Sequence, residues 1–65
     1  MVIKLQQLRE ERGLSKRKLE EMSNVSRNWI TKIEAGNANP GIDIMCKLAH
    51  ALGVGLDELV QWDEN

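Results

Sequence analysis

Residues 15–36 read SKRKLEEMSNVSRNWITKIEAG. Ser15 has the character of an N-cap and predicts a helix over about residues 15–22, with Leu19 and Met22 facing inward. Ser23-Asn24 is a break. Asparagine tolerates a left-handed backbone better than any residue but glycine, so Asn24 is the expected turn residue. Ser26 is a second N-cap, opening a helix over about 26–34, and Gly36 is its stop. At about 100° per residue, Trp29, Ile30 and Ile33 cluster on one side of this helix, while Arg27, Asn28, Thr31 and Lys32 cluster on the other.

Outward from this pair the chain breaks into further short helical pieces. Residues 2–12 predict a first helix with Leu5 and Leu8 one turn apart, ended by Gly13. Residues 37–41 are a loop, with Asn39 held extended by Pro40. Ile42, Met45, Leu48, Ala49 and Leu52 form the stripe of a helix over about 42–52, which Gly53 stops. A last helix over about 56–61 contributes Leu56 and Leu59, and carries Asp57 and Glu58 in its first turn, where the helix dipole favours negative charge. The expectation is an all-α fold: five short helices with tight links, forming one domain over residues 1–65.

Composition is consistent with this and excludes other classes. With 65 residues the chain is long enough for one small domain. Its apolar residues are mainly Leu, Ile, Val and Met, with two Trp and no Phe or Tyr, a mix that suits helices better than sheets. Cys46 is the single cysteine, so no internal disulfide can form, which fits a reducing compartment. MVIKLQQL is too polar for a signal peptide and no stretch is apolar enough to span a membrane, so a cytoplasmic location is expected. The net charge of −1 conceals an asymmetry: residues 15–32 carry +3 and residues 43–65 carry −4. A basic half can meet a polyanion while an acidic half limits non-specific binding. Mixed surface charge without purpose explains the same numbers, and charge alone favours that simpler reading.

The two helices of residues 15–34 are joined by about four residues, Ser23 to Ser26. This is the spacing of a helix-turn-helix, whose second helix enters the DNA major groove. Such a helix must bury one face and offer the other to bases, and helix 26–34 divides in that way. The chain resembles the phage-repressor/Cro-type, or XRE, helix-turn-helix family. The resemblance is carried by LRE-x-R-G-L-S at 8–15, Leu19, V-S-R at 25–27, I-x-K-I-E-x-G at 30–36, Pro40, and K-L-A-x-A-L-G-V-x-L-D-E-L at 47–59. It covers nearly the whole chain and looks like the smallest members, a bare DNA-binding domain.

The resemblance implies a five-helix, lambda-repressor-like fold and a dimer on a two-fold related operator. Arg27, Asn28 and Lys32 match the family's base-reading positions, with Thr31 on the same face. Lys16 stands where the family has a phosphate-touching Gln. Ser15 and the Asn37–Asn39 loop match other backbone-contacting positions, to which Ser26 and Arg17 are added as candidates. Arg9 and Glu34 match a frequent salt bridge between the first and third helices. The chemistry is consistent with these roles: arginine reads guanine O6/N7 with two donors, and asparagine reads adenine N6/N7 as donor and acceptor. Lys16 and the amides opening helix 15–22 can hold a phosphate. Two positions depart from the pattern. Position 20, usually a small Ala between the two helices, is Glu20, and the turn position, usually Gly, is Asn24.

Helical phase favours packing of Trp29 over contact with the DNA backbone. Cys46 and His50 are spaced i, i+4, but two ligands are too few for a structural metal site, and no metal is expected. With no Cys/His nucleophile pair in other context, no glycine-rich phosphate loop and no paired carboxylates, neither enzyme activity nor a cofactor or small-molecule ligand is expected. Val60 and Trp62 exceed the needs of a small core and suggest a homodimer contact through the last helix, the alternative being that Trp62 folds over the core. The functional expectation is a sequence-specific double-stranded DNA-binding regulator, a repressor of the inverted-repeat type. The alternative is an antitoxin-like protein-binding module that binds DNA mainly in a complex, motivated by the acidic half and by Glu20.

Overall fold

The computed structural model describes residues 2–61. In chain order it contains β1 (Val2–Ile3), α1 (Leu5–Glu11), α2 (Lys16–Ser23), α3 (Arg27–Glu34), α4 (Ile42–Leu52), α5 (Leu56–Leu59) and β2 (Val60–Gln61). The five helices stand where the apolar periodicity put them. α2 packs against α3 and α4, α1 bridges α3 and α4, and α5 lies on α4. The buried centre is shared by all five. Leu5, Leu19, Ile30, Leu48 and Leu59 come one from each helix, and each is fully excluded from solvent.

The boundaries follow from local chemistry. Ser15 Oγ accepts the backbone N–H of Lys18 at 3.0 Å, and Ser26 Oγ accepts that of Trp29 at 3.2 Å, so both serines satisfy a donor that the first helical turn leaves open. Asn24 closes α2 with φ 62° and ψ 26°, the left-handed conformation the sequence assigned to it. Gly36, at φ 78°, turns the chain after α3 and lets the Asn37 amide return to the Lys32 carbonyl at 2.8 Å.

Both ends of the fold differ from the sequence expectation. Residues 2–3 are a strand rather than the start of a helix, and residues 60–61 a strand rather than the end of one. The two pair antiparallel, Val2 with Gln61 and Ile3 with Val60, and Lys4 N–H donates to the Leu59 carbonyl at 2.7 Å. The reason is physical. No side chain caps α1 at Lys4, and the β-branched Val2-Ile3 and Val60 gain more from a pleated, half-buried pairing than from a frayed helical turn. Pairing between the two ends of the chain leaves no trace in a local periodicity.

Burial corrects four further expectations. Val60 is 2% exposed and belongs to the core, so its side chain is already spent inside the monomer and is not an open dimer contact. Trp62, the other residue proposed for that contact, lies outside the described residues. Trp29 is 42% exposed, and Met22 and Ile42 are exposed as well, although the sequence placed all three inward. Each sits at the margin of an apolar stripe on a helix of eight to eleven residues, where the core is too small to reach the flanks.

Candidate nucleic-acid interface

α2 and α3 form the helix-turn-helix, and the turn between them is built by two side chains. Ser23 is 6% exposed. Its hydroxyl donates to the Leu19 carbonyl at 2.7 Å and accepts the Val25 N–H at 3.2 Å, so one buried oxygen ends α2 and starts the next segment. Asn24 supplies the left-handed residue beside it. Val25 then drops into the core at 2% exposure and fixes where α3 begins.

The far end of α3 is held by an ion pair. Arg9 of α1 donates from Nε to Glu34 Oε2 at 2.7 Å and from Nη2 to Glu34 Oε1 at 3.1 Å, and its Nη1 donates to the Leu14 carbonyl at 2.7 Å. The two side chains are 10% and 5% exposed. This two-pronged geometry joins α1, the α1–α2 loop and the last turn of α3 through one guanidinium. The hydrogen bond to Glu34 raises the Arg9 pKa above its ordinary value, against the opposing effect of burial.

With its apolar face sunk through Ile30 and Ile33 and its C-terminal end fixed by Glu34, α3 turns Arg27, Asn28, Thr31 and Lys32 to solvent. The amides of Lys16 and Arg17 open α2 beside the Ser15 hydroxyl, which keeps its own proton to donate while accepting from Lys18. Lys16 is half-buried and Arg17 exposed. Asn37 and Asn39 are exposed in the loop after α3. All the base-reading candidates therefore share one helix face, and the backbone-contact candidates lie at the starts of α2 and α3 and in the loop that follows α3.

Glu20 is the residue whose role the sequence did not reveal. It is half-buried between the two helices. Its Oε2 accepts the backbone N–H of Arg27 at 3.2 Å, and its Oε1 lies 3.2 Å from Arg27 Nε. The carboxylate thus caps α3 and pairs with the first side chain on the exposed face. The available signal was the separation of seven residues between an acid on one helix and a base at the start of the next. A second missed contact is Arg12, whose Nε donates to the Leu52 carbonyl at 2.8 Å and whose Nη1 donates to the Leu8 carbonyl at 3.1 Å, joining the ends of α4 and α1.

A helix-turn-helix family model matches residues 5–59, from the first residue of α1 to the last of α5. The chain belongs to the XRE-type helix-turn-helix family of DNA-binding transcriptional regulators. Over 53 residues, 82% of this chain and 69% of the relative, it is 40% identical to an uncharacterized HTH-type transcriptional regulator, y4dJ, of Sinorhizobium fredii (strain NBRC 101917 / NGR234). Its fold matches the crystal structure of the restriction-modification controller protein C.AhdI from Aeromonas hydrophila with a TM-score of 0.84 and 33% identity, covering 88% of this chain and 86% of that one. Within the helix-turn-helix family, α2 and α3 of this chain are thus the DNA-binding motif, with α3 as its second helix. Among the described residues no helix is long and apolar enough to cross a membrane, and no group of three or more His, Cys, Asp or Glu is placed to hold a metal.

Proposed function

We propose that this helix-turn-helix regulator is a sequence-specific repressor that binds an inverted-repeat operator as a homodimer, with residues 1–65 acting as one DNA-binding domain in the cytoplasm. α3 lies in the major groove. Arg27 and Asn28 read base edges, Arg27 favouring guanine and Asn28 adenine, while Lys32 and Thr31 reach a neighbouring base or phosphate. Ser15, Lys16, Arg17, Ser26, Asn37 and Asn39 contact the sugar-phosphate backbone and set the register. Two copies place their α3 helices about one helical turn, roughly 34 Å, apart.

The observation that carries this reading is the exposed α3 face. Arg27, Asn28, Thr31 and Lys32 all stand in solvent on a helix whose other face and far end are anchored in the core. A solvent-facing row without function has no need of a bidentate buried ion pair fixing the helix beneath it. Titration of isotope-labelled protein with a mixed-sequence duplex at low salt tests the face directly. Amide and side-chain resonances of residues 15–17, 26–32 and 37–39 shift, while those of α4 and α5 stay. Shifts confined to α4 or α5 contradict the proposal.

A further inference from the structure

We infer that Glu20 is a positioning residue for base recognition, holding Arg27 in one donor geometry and masking its charge from DNA that lacks the matching base. The inference rests on the reading of α3 as the base-reading helix. It starts from a contact of two kinds: one carboxylate accepts the backbone N–H of Arg27 at 3.2 Å and stands as an ion pair 3.2 Å from its Nε. Among the described residues, no partner is placed on Arg27 Nη1 or Nη2.

A guanidinium can present two N–H groups to guanine O6/N7 either from its end, through Nη1 and Nη2, or from its side, through Nε and one Nη. The Glu20 carboxylate, 3.2 Å from Nε, occupies the space a base edge would need on that side, so the end-on fork remains. Glu20 is anchored for this task, because its side chain is 37% exposed and half-buried against α3 rather than free in solvent. Its second oxygen caps the first amide of α3, where the helix dipole also favours a negative charge. Arg27, at 59% side-chain exposure, is otherwise a long chain free to rotate. Anchoring it before binding removes part of the ordering cost that a free arginine meets on docking.

The second consequence is electrostatic. A carboxylate 3.2 Å from the guanidinium offsets its attraction for any phosphate. The directional donors of Nη1 and Nη2 are unaffected. Glu20 therefore lowers affinity for arbitrary DNA and keeps the discrimination that comes from a guanine edge. A small residue at position 20 would do neither.

The test is a set of equilibrium titrations by fluorescence anisotropy at moderate salt. The proteins are wild type, E20A, E20Q, R27A and E20A/R27A. The duplexes are the one selected by the wild-type protein from a random pool, the same duplex with each guanine replaced in turn, and an unrelated sequence. The Arg27 guanine is the one to which R27A is blind. In the wild-type background E20A lowers the preference for that guanine about tenfold and raises affinity for unrelated DNA several-fold. In the R27A background E20A leaves base preference unchanged. E20Q, which keeps an acceptor but loses the charge, retains most of the guanine preference while still gaining affinity for unrelated DNA. If E20A shifts every duplex by the same factor in both backgrounds, the pair is an ordinary surface contact and the inference is overturned while the DNA face stands. If R27A binds the selected duplex as wild type does, both fall. Should E20A fail to fold, E20Q carries the comparison: loss of base preference together with unchanged affinity for unrelated DNA overturns the inference.

Discussion

Replacing Arg9 by Met tests how the recognition helix is held. The substitution keeps much of the apolar stem and removes the guanidinium, which leaves the Glu34 carboxylate, 5% exposed, without its two hydrogen bonds. Removing one member of a buried pair costs about 3–5 kcal/mol, because the remaining charge stays desolvated. A chain of 65 residues has a total stability of roughly 3–10 kcal/mol, at about 0.05–0.15 kcal/mol per residue. Arg9→Met therefore removes a third or more of it, and lowers the melting temperature by at least about 12 °C. Urea denaturation followed by circular dichroism reads this as a lower midpoint at unchanged slope. The double variant Arg9→Met/Glu34→Leu recovers most of the loss, since no charge is then stranded. The pH dependence follows from the raised Arg9 pKa. A raised basic pKa contributes stability that is fully present below the unfolded-state value and lost as pH rises through the folded-state one. Both lie far on the basic side of the working range, so the difference between wild type and Arg9→Met is flat from about pH 7 to 10. A loss below about 1 kcal/mol, the range of an exposed pair, or a double variant no better than the single one, would mean that the Arg9–Glu34 pair does not hold α3 in this way.

Other perturbations give separate readings. Ser23→Ala strands the Val25 N–H in a buried turn and costs about 1–3 kcal/mol, read from the same denaturation curves. Asn24→Ala forces an alanine into φ 62° and costs about 1–2 kcal/mol, whereas Asn24→Gly stays within about 1 kcal/mol of wild type. Lys16→Ala weakens DNA binding about equally for all sequences and lowers the slope of log affinity against log salt by about 1. In a Trp62→Phe protein the emission of Trp29, which is 42% exposed on α3, changes on adding duplex DNA. An unchanged spectrum at saturation would place the DNA elsewhere.

The helix-turn-helix was legible because its signals are local. Ser15 and Ser26 cap through their own neighbours, Asn24 chooses its own backbone region, and Ile30 and Ile33 mark a buried face by spacing alone. The exposed face of α3 followed from the same periodicity, and the Arg9–Glu34 pair from resemblance to the family. What was hidden is non-local or marginal. The β1–β2 pairing joins residues nearly sixty positions apart. Trp29, Met22 and Ile42 sit where helical phase is ambiguous and the number of neighbours decides. Glu20 looked like a liability, a carboxylate in a small-residue position near phosphates. Its partner is Arg27, across the turn and on the exposed face of α3, and that contact gives Glu20 a place within the helix-turn-helix itself. Val60 looked surplus to a small core until the sheet placed it inside.

The proposed role of the exposed α3 face is to read base sequence. Selection of bound duplexes from a random pool at moderate salt, with wild-type protein beside Arg27→Ala and Asn28→Ala, tests it most directly. The expected result is an enriched inverted repeat with half-site centres about one helical turn apart, and loss or change of one defined base pair per half-site in each variant. A folded wild-type protein that enriches no sequence, or variants that enrich the same sequence as wild type, would contradict it.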